Sequence, residues 1–320
     1  MTETVEKALR QWDLSGASYT LAAKRENHVF RIDHTTGTYA MRLHRPGMRR
    51  DTELRSELEW MRAVGEGGLA VPHPIPASDQ GFMQVIDGTQ IDVLTWLEGS
   101  PIGGARTGLH IEDRQAVFFS IGREMARLHD ISDAWPLPQG FDRPAWDKDG
   151  LVGKAPVWDR FWDNPALAQR ERDKLTALRD AAKSELSQLG DALDYGLIHA
   201  DLVRENVIMN GDRVQFIDFD DGGFGYRLFD VATALHKNIH EPDYDLLKTA
   251  LLDGYHSIRL LETGALDLFM ALRAATYVGW NITRMDEDGA IQRNARFIQH
   301  ALAMTDRFLA SCPAPKATRT

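Results

Sequence analysis

The chain has 320 residues, a formal net charge of −10 and one cysteine, Cys312. The acidic balance argues against nucleic acid as a partner, and a single cysteine excludes an internal disulfide framework and is typical of a reducing compartment. No apolar run reaches membrane-spanning length, and the acidic, amphipathic start is unlike a signal peptide, so we expect a cytoplasmic protein with no membrane partner. The length allows two lobes with separate cores.

The first third of the chain predicts a small β-rich lobe with one helix. Strand-prone runs lie at 18–23, 29–33 and 38–44, and a helical pattern follows at 51–64. The apolar stripe of that helix consists of Leu54, Leu58, Met61 and Val64. This spacing predicts a helix with one buried face.

Glu57 falls inside the apolar stripe of this predicted helix. A carboxylate that faces inward is costly unless a cation pairs with it. Arg42, between the apolar residues Met41 and Leu43 of the third strand, is the candidate cation, and Glu53 is the alternative carboxylate for it. An ordinary surface arginine beside a solvated Glu57 remains the other interpretation.

A joint between two lobes is predicted near residue 98. A strand-like run at 90–96 leads into the flexible sequence Leu97-Glu98-Gly99-Ser100. We therefore assign residues 1–98 to the first lobe and 99–312 to the second. Residues 313–320 predict a disordered tail.

The second lobe is predicted to be chiefly helical. Its helical patterns lie at 111–129, 166–188, 244–261, 267–285 and 286–309. Residues 136–146 are rich in proline, glycine and aromatic side chains and predict a loop over the cleft between the lobes.

The most informative segment begins at Leu197-Ile198, which predicts a buried strand that ends in a polar loop containing Asp201. Two β-prone runs, 207–209 and 214–217, flank Asn210-Gly211, a strong hairpin signal because both residues tolerate positive φ. Such a hairpin brings Asn206 and Asp218 side by side, at the end fed by the loop that carries Asp201. Three oxygen-bearing side chains are therefore expected to converge.

This convergence suits Mg²⁺ and phosphoryl transfer. Mg²⁺ takes oxygen ligands and is commonly held by one or two protein groups together with phosphates and water. The reaction requires a placed metal, an acceptor hydroxyl aimed in line and a carboxylate that takes up its proton. We assign Asn206 and Asp218 as metal ligands and Asp201 as the base, and we expect His199 to hydrogen-bond the loop backbone. A capping or solvated role for a loop aspartate is the alternative.

The spacing of His199, Asp201 and Asn206, followed by Ile217-Asp218-Phe219, resembles the catalytic and metal-binding loops of the aminoglycoside phosphotransferase/choline kinase superfamily. The runs 219–226 and 229–232 resemble its homoserine kinase type II or RdoA-like branch. The resemblance implies an α+β, bilobal protein-kinase-like fold and ATP as the phosphate donor. It also implies that Asp230 braces the catalytic loop.

The resemblance further implies which residues hold the nucleotide. The Arg42–Glu57 pair is expected to contact the α- and β-phosphates. The broad family usually carries lysine at the position of Arg42, and arginine can grip phosphate with two N–H groups. The backbone at Thr95, Trp96 and Leu97 resembles the hinge that holds adenine, with an ordinary edge strand as the alternative.

Two departures from the family pattern are visible. The run 24–29 contains no glycine where protein kinases have a glycine-rich loop over the phosphates, and Asn27 is the residue considered for that role. Arg204-Glu205 replaces a more usual Pro-Gly pair in the catalytic loop. Arg204 is interpreted either as a contact of the γ-phosphate or an anionic acceptor, or as a solvent-exposed side chain.

Acceptor recognition in the resembled family comes from the helical lobe. Arg273, Tyr277, Trp280 and Arg284 are spaced four, three and four residues apart and share one helix face. Arginines could hold a carboxylate and aromatic rings an ammonium, although such a stripe is more often half core and half surface. Tyr226 and Arg227 are further candidates, because they follow the metal loop.

The sequence therefore predicts an ATP- and Mg²⁺-dependent phosphotransferase that acts on a hydroxyl of a small metabolite such as an amino alcohol, amino acid or sugar. A protein Ser/Thr kinase of the RdoA-like type is the alternative with the same chemistry. A catalytically inactive nucleotide-binding regulator is the alternative from another class. A homodimer is left open as the oligomeric state.

Overall fold

The computed structural model describes residues 1–24, 27–104 and 107–311. The predicted tail, Cys312 and part of the run 24–29 lie outside the described residues. The N-terminal part is built on a β-sheet and the C-terminal part is mainly helical, so the predicted α+β class is confirmed. The lobe boundary at residue 98 stays a prediction.

The N-terminal part contains a five-stranded antiparallel sheet. In the spatial order β1-β2-β3-β5-β4, its strands are β1 (Ser18–Lys24), β2 (His28–His34), β3 (Gly37–Leu43), β5 (Thr89–Thr95) and β4 (Met83–Ile86). Helix α1 (Thr2–Gln11), which the sequence analysis did not assign, contributes Val5 and Leu9 to one apolar cluster with Ile32, Met41 and Val93 of the sheet. The three predicted strands are present, each end within one residue of the predicted position.

Helix α2 (Asp51–Glu66) joins the two parts of the molecule. Its predicted stripe is buried, but the stripe belongs to the apolar core of the C-terminal part rather than to the cluster on the sheet. Trp60 packs edge-on against Phe219, with ring centroids 5.1 Å apart. The helix that carries Glu57 is therefore fixed to the segment that follows Asp218.

The C-terminal part packs helices around short strands. Its helices are α3 (Arg114–Ala134), α4 (Lys148–Val152), α5 (Gln169–Leu189), α6 (Arg227–His236), α7 (Tyr244–His256), α8 (Leu266–Trp280) and α9 (Ala290–Ser311). Its strands are β6 (Ser100–Pro101), β7 (Gly103–Gly104), β8 (Gly108–Leu109), β9 (Ala145–Trp146), β10 (Tyr195–Ile198), β11 (Val207–Asn210), β12 (Arg213–Phe216) and β13 (Gly223–Tyr226). They form the ladders β10-β13-β9, β12-β11-β6 and β7-β8.

The predicted hairpin after the catalytic loop is present. Strands β11 and β12 pair from Val207 opposite Phe216 to Asn210 opposite Arg213. The two turn residues are Gly211 and Asp212 rather than the expected Asn210-Gly211, and Gly211 adopts the positive φ of 58° that the turn requires. The register places Asn206 and Asp218 at the same end of the hairpin.

The observed helix boundaries differ from the predicted ones at positions where local hydrogen bonds set the end of the helix. Helix α3 begins at Arg114, because the Asp113 side chain caps it by accepting a hydrogen bond from the backbone N–H of Ala116 at 3.0 Å. Helix α8 ends at Trp280, and a short 3₁₀ turn at Ile282–Arg284 follows. Helix α6, which carries Asp230, was not assigned from the sequence. Among the described residues, no helix combines the length and apolar character needed to cross a membrane.

Candidate functional site

A buried aspartate braces the catalytic loop where strand β10 ends. The Asp230 carboxylate, in the first turn of α6, accepts hydrogen bonds from the backbone N–H groups of His199 (2.8 Å) and Ala200 (2.6 Å). Its Oδ2 also lies 3.1 Å from His129 Nε2. Ala200 has a φ of 63°, which is unfavourable for a residue with a side chain. The brace expected of Asp230 is present, and it offsets the strain of the loop.

His199 lies under the loop rather than in the open cleft. Burial lowers the pKa of its ring to about 4, so the ring is neutral at physiological pH. Nδ1 accepts the backbone N–H of Asp201 at 3.3 Å, so the proton lies on Nε2, which donates to the Ile217 carbonyl oxygen at 3.0 Å. His199 therefore ties the catalytic loop to the segment that precedes Asp218, which agrees with the structural role expected from the sequence.

The Asp201 carboxylate is held from two sides. Oδ1 accepts a hydrogen bond from Arg273 Nη2 at 2.7 Å, and Oδ2 accepts one from Asn206 Nδ2 at 2.9 Å. Asn206 Nδ2 also donates to the Asp201 carbonyl oxygen at 2.9 Å. These contacts fix the direction in which Asp201 can meet an incoming hydroxyl.

Asp218 lies in an excess of negative charge. Displacement of water by the protein, together with the charges of Asp220, Asp201 and Asp221, raises the pKa of its carboxyl to about 8, although the residue still presents surface to the cleft. Its φ of 69° is a second strained position of the loop. A bound cation would offset the neighbouring negative charges that, together with burial, raise the pKa of Asp218.

The residues assigned to Mg²⁺ fit that ion. Because the Asn206 amide nitrogen is engaged by Asp201, its Oδ1 is the atom left for a cation, and Asn206 lies at the same end of the hairpin as Asp218. In residues 1–24, 27–104 and 107–311, no three His, Cys, Asp or Glu side chains are arranged to hold a metal without other ligands. Mg²⁺ is a hard cation that is commonly held by one or two protein oxygens, with phosphate and water as its other ligands.

The predicted ion pair between strand β3 and helix α2 is present, with Arg42 Nη1 2.7 Å from Glu57 Oε1. Arg42 was expected to hold phosphate with two N–H groups, but its Nε and Nη2 donate to the two oxygens of Asp92 at 2.7 and 2.9 Å. His44 Nε2 lies 2.6 Å from the same carboxylate. Burial alone would raise the pKa of Asp92, but Arg42 and His44 outweigh it and lower the pKa to about 2. The sequence analysis missed Asp92; the signal was one carboxylate within the apolar run 91–94.

A second arginine that the sequence analysis missed joins helix α2 to the metal loop. Arg143 is fully buried in the predicted loop 136–146 and donates to the carbonyl oxygens of Phe219 (2.8 Å), Asp220 (2.7 Å) and Gly222 (2.6 Å). Its Nη1 also lies 3.3 Å from Glu57 Oε2. The loop 136–146 was expected to lie over the cleft, and its Arg143 side chain contacts the backbone of the residues that follow Asp218.

Three residues proposed to contact substrate have other partners. Arg204 is neither solvent-exposed nor free, because Nε donates to Asn238 at 2.8 Å and Nη2 to Glu241 at 2.5 Å. Arg227 is fully buried and donates to the Leu197 carbonyl oxygen and to Asp133. Tyr226 pairs with Tyr195 at the end of β10 remote from the catalytic loop, and the two rings are in contact. Tyr226 and Arg227 were proposed because they are close in sequence to the metal loop, but β13 carries the chain away from the cleft before it reaches them.

The helix face proposed for the acceptor reaches the site at Tyr277 and Trp280. Tyr277 Oη accepts a hydrogen bond from Arg273 Nη2 at 2.8 Å, the same nitrogen that contacts Asp201. Trp280 lines a cavity of about 510 Å³ together with Trp158 and Asp221. Arg273, Tyr277 and Trp280 lie on one helix as predicted, whereas Arg284 lies in the 3₁₀ turn that follows, and the residue of this helix that contacts Asp201 is Arg273.

At the predicted hinge, two backbone N–H groups are engaged within the protein. Thr95 donates to the His73 carbonyl oxygen at 2.8 Å, and Trp96 donates to the Thr38 carbonyl oxygen at 3.1 Å. The Trp96 ring stacks under Arg31, whose guanidinium carbon lies 5.1 Å from the ring centroid. The N–H groups of Thr95 and Trp96 are therefore not free to bind a ligand at this segment.

Comparison with known proteins matches residues 20–268 to the family model described as "Phosphotransferase enzyme family". A homoserine kinase of Rhizobium meliloti (strain 1021) is 28% identical over 270 residues, which cover 81% of this chain and 76% of that protein. The structure of a microcompartment-associated aminopropanol kinase is 26% identical, with a TM-score of 0.84 and coverage of 97% of this chain and 98% of that one. Amicoumacin kinase hAmiN, 18% identical with a TM-score of 0.77 over 94% and 93% of the two chains, shares the fold.

The chain therefore belongs to the phosphotransferase enzyme family, and its resemblance to the aminoglycoside phosphotransferase/choline kinase superfamily is confirmed. The bilobal, protein-kinase-like fold class is confirmed by the same structural neighbours. Within that class, the prediction that the protein is a kinase is also confirmed.

Proposed function

We propose that this kinase transfers the γ-phosphate of ATP, with Mg²⁺, to a hydroxyl group of a small metabolite. The observation that carries the proposal is the Asp201 carboxylate, which is oriented by Arg273 and Asn206 beside a second carboxylate, Asp218, in a field of surplus negative charge. Phosphoryl transfer to a hydroxyl requires an oriented base and, next to it, side chains that can bind a metal ion.

Each residue has a distinct proposed task. Asp201 orients the acceptor hydroxyl and takes up its proton as the new P–O bond forms. Asn206 Oδ1 and Asp218 would hold Mg²⁺, whose positive charge offsets the charge of the transferred group. Arg42 and Glu57 position the nucleotide phosphates, with Asp92 fixing the orientation of Arg42.

The hinge at 95–97 is proposed to hold the adenine through its backbone. The Thr95 and Trp96 N–H groups are already engaged by His73 and Thr38. The Leu97 N–H and the Trp96 carbonyl oxygen are the donor and acceptor we assign to the base.

The relatives favour a small acceptor. The names of two similar proteins, a homoserine kinase and an aminopropanol kinase, both designate kinases of small hydroxyl compounds. We extend that acceptor class to this chain, while a protein Ser/Thr kinase and an inactive regulator remain outcomes of the test.

The test is a panel of amino alcohols, amino acids, sugars and a generic protein acceptor, each assayed for MgATP-dependent ADP release. Asp201→Asn is the inactive comparison, and Asp212→Asn in the exposed hairpin turn is the matched control. Turnover on a small hydroxyl compound that is lost only in Asp201→Asn supports the proposal. Phosphate found on protein alone would assign a protein kinase, and ATP binding without turnover on any acceptor would assign a regulator.

A further inference from the structure

Arg49 reaches from the N-terminal sheet to the acidic loop of residues 218–221. Its backbone lies between β3 and α2, and its carbonyl oxygen accepts a hydrogen bond from Gln90 Nε2 of β5 at 3.2 Å. Its Nη2 donates to the Asp220 carbonyl oxygen at 2.9 Å and to Asp221 Oδ1 at 3.1 Å. This side chain therefore links the sheet to the acidic loop.

The ion pair between Arg49 and Asp220 is incomplete. Arg49 Nε lies 3.4 Å from Asp220 Oδ1, which is close enough for a charge interaction, but this buried oxygen accepts no hydrogen bond from the described residues. Asp221 Oδ1 is shared between Arg49 and Trp158, whose Nε1 lies 3.4 Å away. A buried carboxylate oxygen without a donor is unfavourable in free energy. Arg49 thus satisfies the acidic loop only in part.

Arg49 is accessible from the cavity beside the site, whereas Arg143 is not. Arg49 exposes 19% of its side chain and lines the cavity of about 510 Å³ together with Asp220 and Asp221. Arg143 is fully buried and holds the same loop by its backbone carbonyl oxygens. Because Arg143 supports the backbone, the contacts of Arg49 can be exchanged without unfolding the loop.

The charges that Arg49 contacts are charges that favour a metal. Asp220 and Asp221 both act electrostatically on Asp218, the carboxylate assigned to Mg²⁺. A dication held by Asn206 and Asp218 would be attracted by these carboxylates and repelled by the Arg49 guanidinium, since charges interact strongly where water is partly excluded. Metal binding and the contacts of Arg49 therefore oppose each other.

Resting on the metal site of the proposed function, we propose that Arg49 is a displaceable counter-ion of the acidic loop, which balances Asp220 and Asp221 until a metal is bound and is then released from them. Since the backbone of Arg49 is anchored to β5, release of its side chain loosens the link between the sheet and the acidic loop. Metal binding is thereby coupled to the position of the sheet that carries Arg42. Arg49 is a positioning residue that sets the metal requirement of the kinase.

The experiment measures metal binding directly, without acceptor and without turnover. Binding of Mn²⁺ to the enzyme saturated with ADP is followed by electron paramagnetic resonance. Arg49→Met and Arg49→Lys are compared with the wild type and with Arg160→Met, a matched control because Arg160 lines the same cavity but pairs with Asp163. The melting temperature of each protein is recorded without ligand and with saturating Mn²⁺ and ADP.

Arg49→Met is expected to bind Mn²⁺ about tenfold to a hundredfold more tightly than the wild type, because one positive charge beside the metal is removed. Arg49→Lys, which retains the charge, and Arg160→Met should stay within about threefold of the wild type. Without ligand, Arg49→Met should melt at a lower temperature than the wild type, and linkage requires this difference to shrink at saturating Mn²⁺ and ADP. A purely structural role of Arg49 would instead weaken metal binding in Arg49→Met.

Two results would overturn the inference alone. Arg49→Met could bind Mn²⁺ equally or more weakly, or Arg160→Met could tighten binding as much as Arg49→Met does, which would reveal a long-range effect of charge without displacement. In both cases phosphorylation of a small hydroxyl compound would continue, so the proposed function would stand. A wild-type enzyme that binds no Mn²⁺ with ADP would overturn the metal assignment and the inference together.

A second pair of variants keeps the test decisive if Arg49→Met does not fold by itself. The same change is then made in the Asp221→Asn background, where a positive and a negative charge are removed together. Arg49→Met should tighten Mn²⁺ binding relative to Asp221→Asn alone, again by about tenfold or more. Equal or weaker binding in the double variant would overturn the inference.

Discussion

Two groups of charged side chains face each other across the cleft, and they are satisfied in different ways. Around Arg42, each charge has a protein partner: Glu57 and Asp92 accept from the guanidinium, and His44 contacts Asp92. Around Asp201, burial and the charges of Asp220, Asp201 and Asp221 raise the pKa of Asp218 to about 8, and Lys237 has no acid in contact with it among the described residues. The carboxylates of the first group are paired within the protein, whereas we propose that metal and substrate complete the second group.

This difference separates residues that hold the cleft in shape from residues that act on a substrate. A fully paired buried group stabilises one geometry, and removing one member exposes an uncompensated charge. Charges left without a partner raise the electrostatic free energy of the protein, and binding of metal, phosphate and acceptor lowers it. Mutations in the first group should therefore affect stability first, and mutations in the second should affect turnover first.

The largest effect is expected from Asp218→Ala. Loss of this carboxylate removes a proposed Mg²⁺ ligand, so MgATP-dependent turnover should fall to background, at least about 10³-fold, as expected for loss of several kcal/mol of metal stabilisation. The substitution also removes a carboxyl whose pKa is raised in the folded protein, which opposes folding at neutral pH, so the melting temperature should stay equal or rise. Unchanged turnover in a coupled ADP-release assay would refute the metal assignment.

Asp201→Asn is expected to lower kcat by about 10²- to 10⁴-fold, because the amide cannot take up the acceptor proton. Its amide retains a carbonyl oxygen for Arg273, so MgATP affinity should remain close to that of the wild type. Fluorescence titration with a nucleotide analogue checks the affinity, and stopped-time assays check kcat. A parallel loss of nucleotide binding would mean that Asp201 belongs to the structural group instead.

Arg143→Met tests the connection between the two groups. The change leaves Glu57 Oε2 and three carbonyl oxygens of the metal loop without the donor that Arg143 provides, which should cost about 3–5 kcal/mol of unfolding free energy. If the connection also positions Asp218, the Mg²⁺ concentration for half-maximal activity should increase at temperatures where the variant is folded. Urea denaturation and Mg²⁺ titrations measure the two effects, with Arg170→Met on the exposed face of α5 as the control. A loss of stability with an unchanged Mg²⁺ requirement would limit Arg143 to a structural role.

Asp92→Asn is expected to cost about 2–3 kcal/mol at neutral pH, the free energy that corresponds to lowering its pKa to about 2. Activity should fall less than in Asp201→Asn, because Arg42 retains Glu57. Thermal unfolding and kcat are the measurements. A variant as stable as the wild type would show that the bidentate Arg42–Asp92 contact does not hold the first group together.

The smallest expected effect is a pH dependence of the same pair. The pKa of Asp92 is lowered in the folded protein, so the unfolded chain takes up its proton first, and the stabilisation is present above pH 4 and is lost as pH falls from about 4 to about 2. The difference in unfolding free energy between wild type and Asp92→Asn should therefore shrink over that range. A constant difference down to pH 2 would contradict it.

The chemistry of the central loop could be predicted because it depends on short-range order. Asp201 and Asn206 lie five residues apart, and the Asn-Gly signal sets the hairpin that returns Asp218 to them. The Arg42–Glu57 pair could also be predicted, because a carboxylate within an apolar helical stripe requires a cation. The roles of Asp92 and Arg143 could not, since each depends on which distant segment supplies the partner, and Arg143 comes from a loop with no periodic pattern.

The sequence by itself predicted the fold class and the kinase activity through its resemblance to a known family, and it predicted the convergence of Asp201, Asn206 and Asp218 through spacing and turn chemistry. Only the tertiary structure decided that Arg42 contacts Asp92, that Arg204 and Arg227 have buried partners, and that Lys237 lies over the ring of Tyr277. A charged side chain has the same chemistry wherever it occurs in a sequence. Whether it stabilises the fold or is available to bind a ligand depends on whether an opposite charge packs against it.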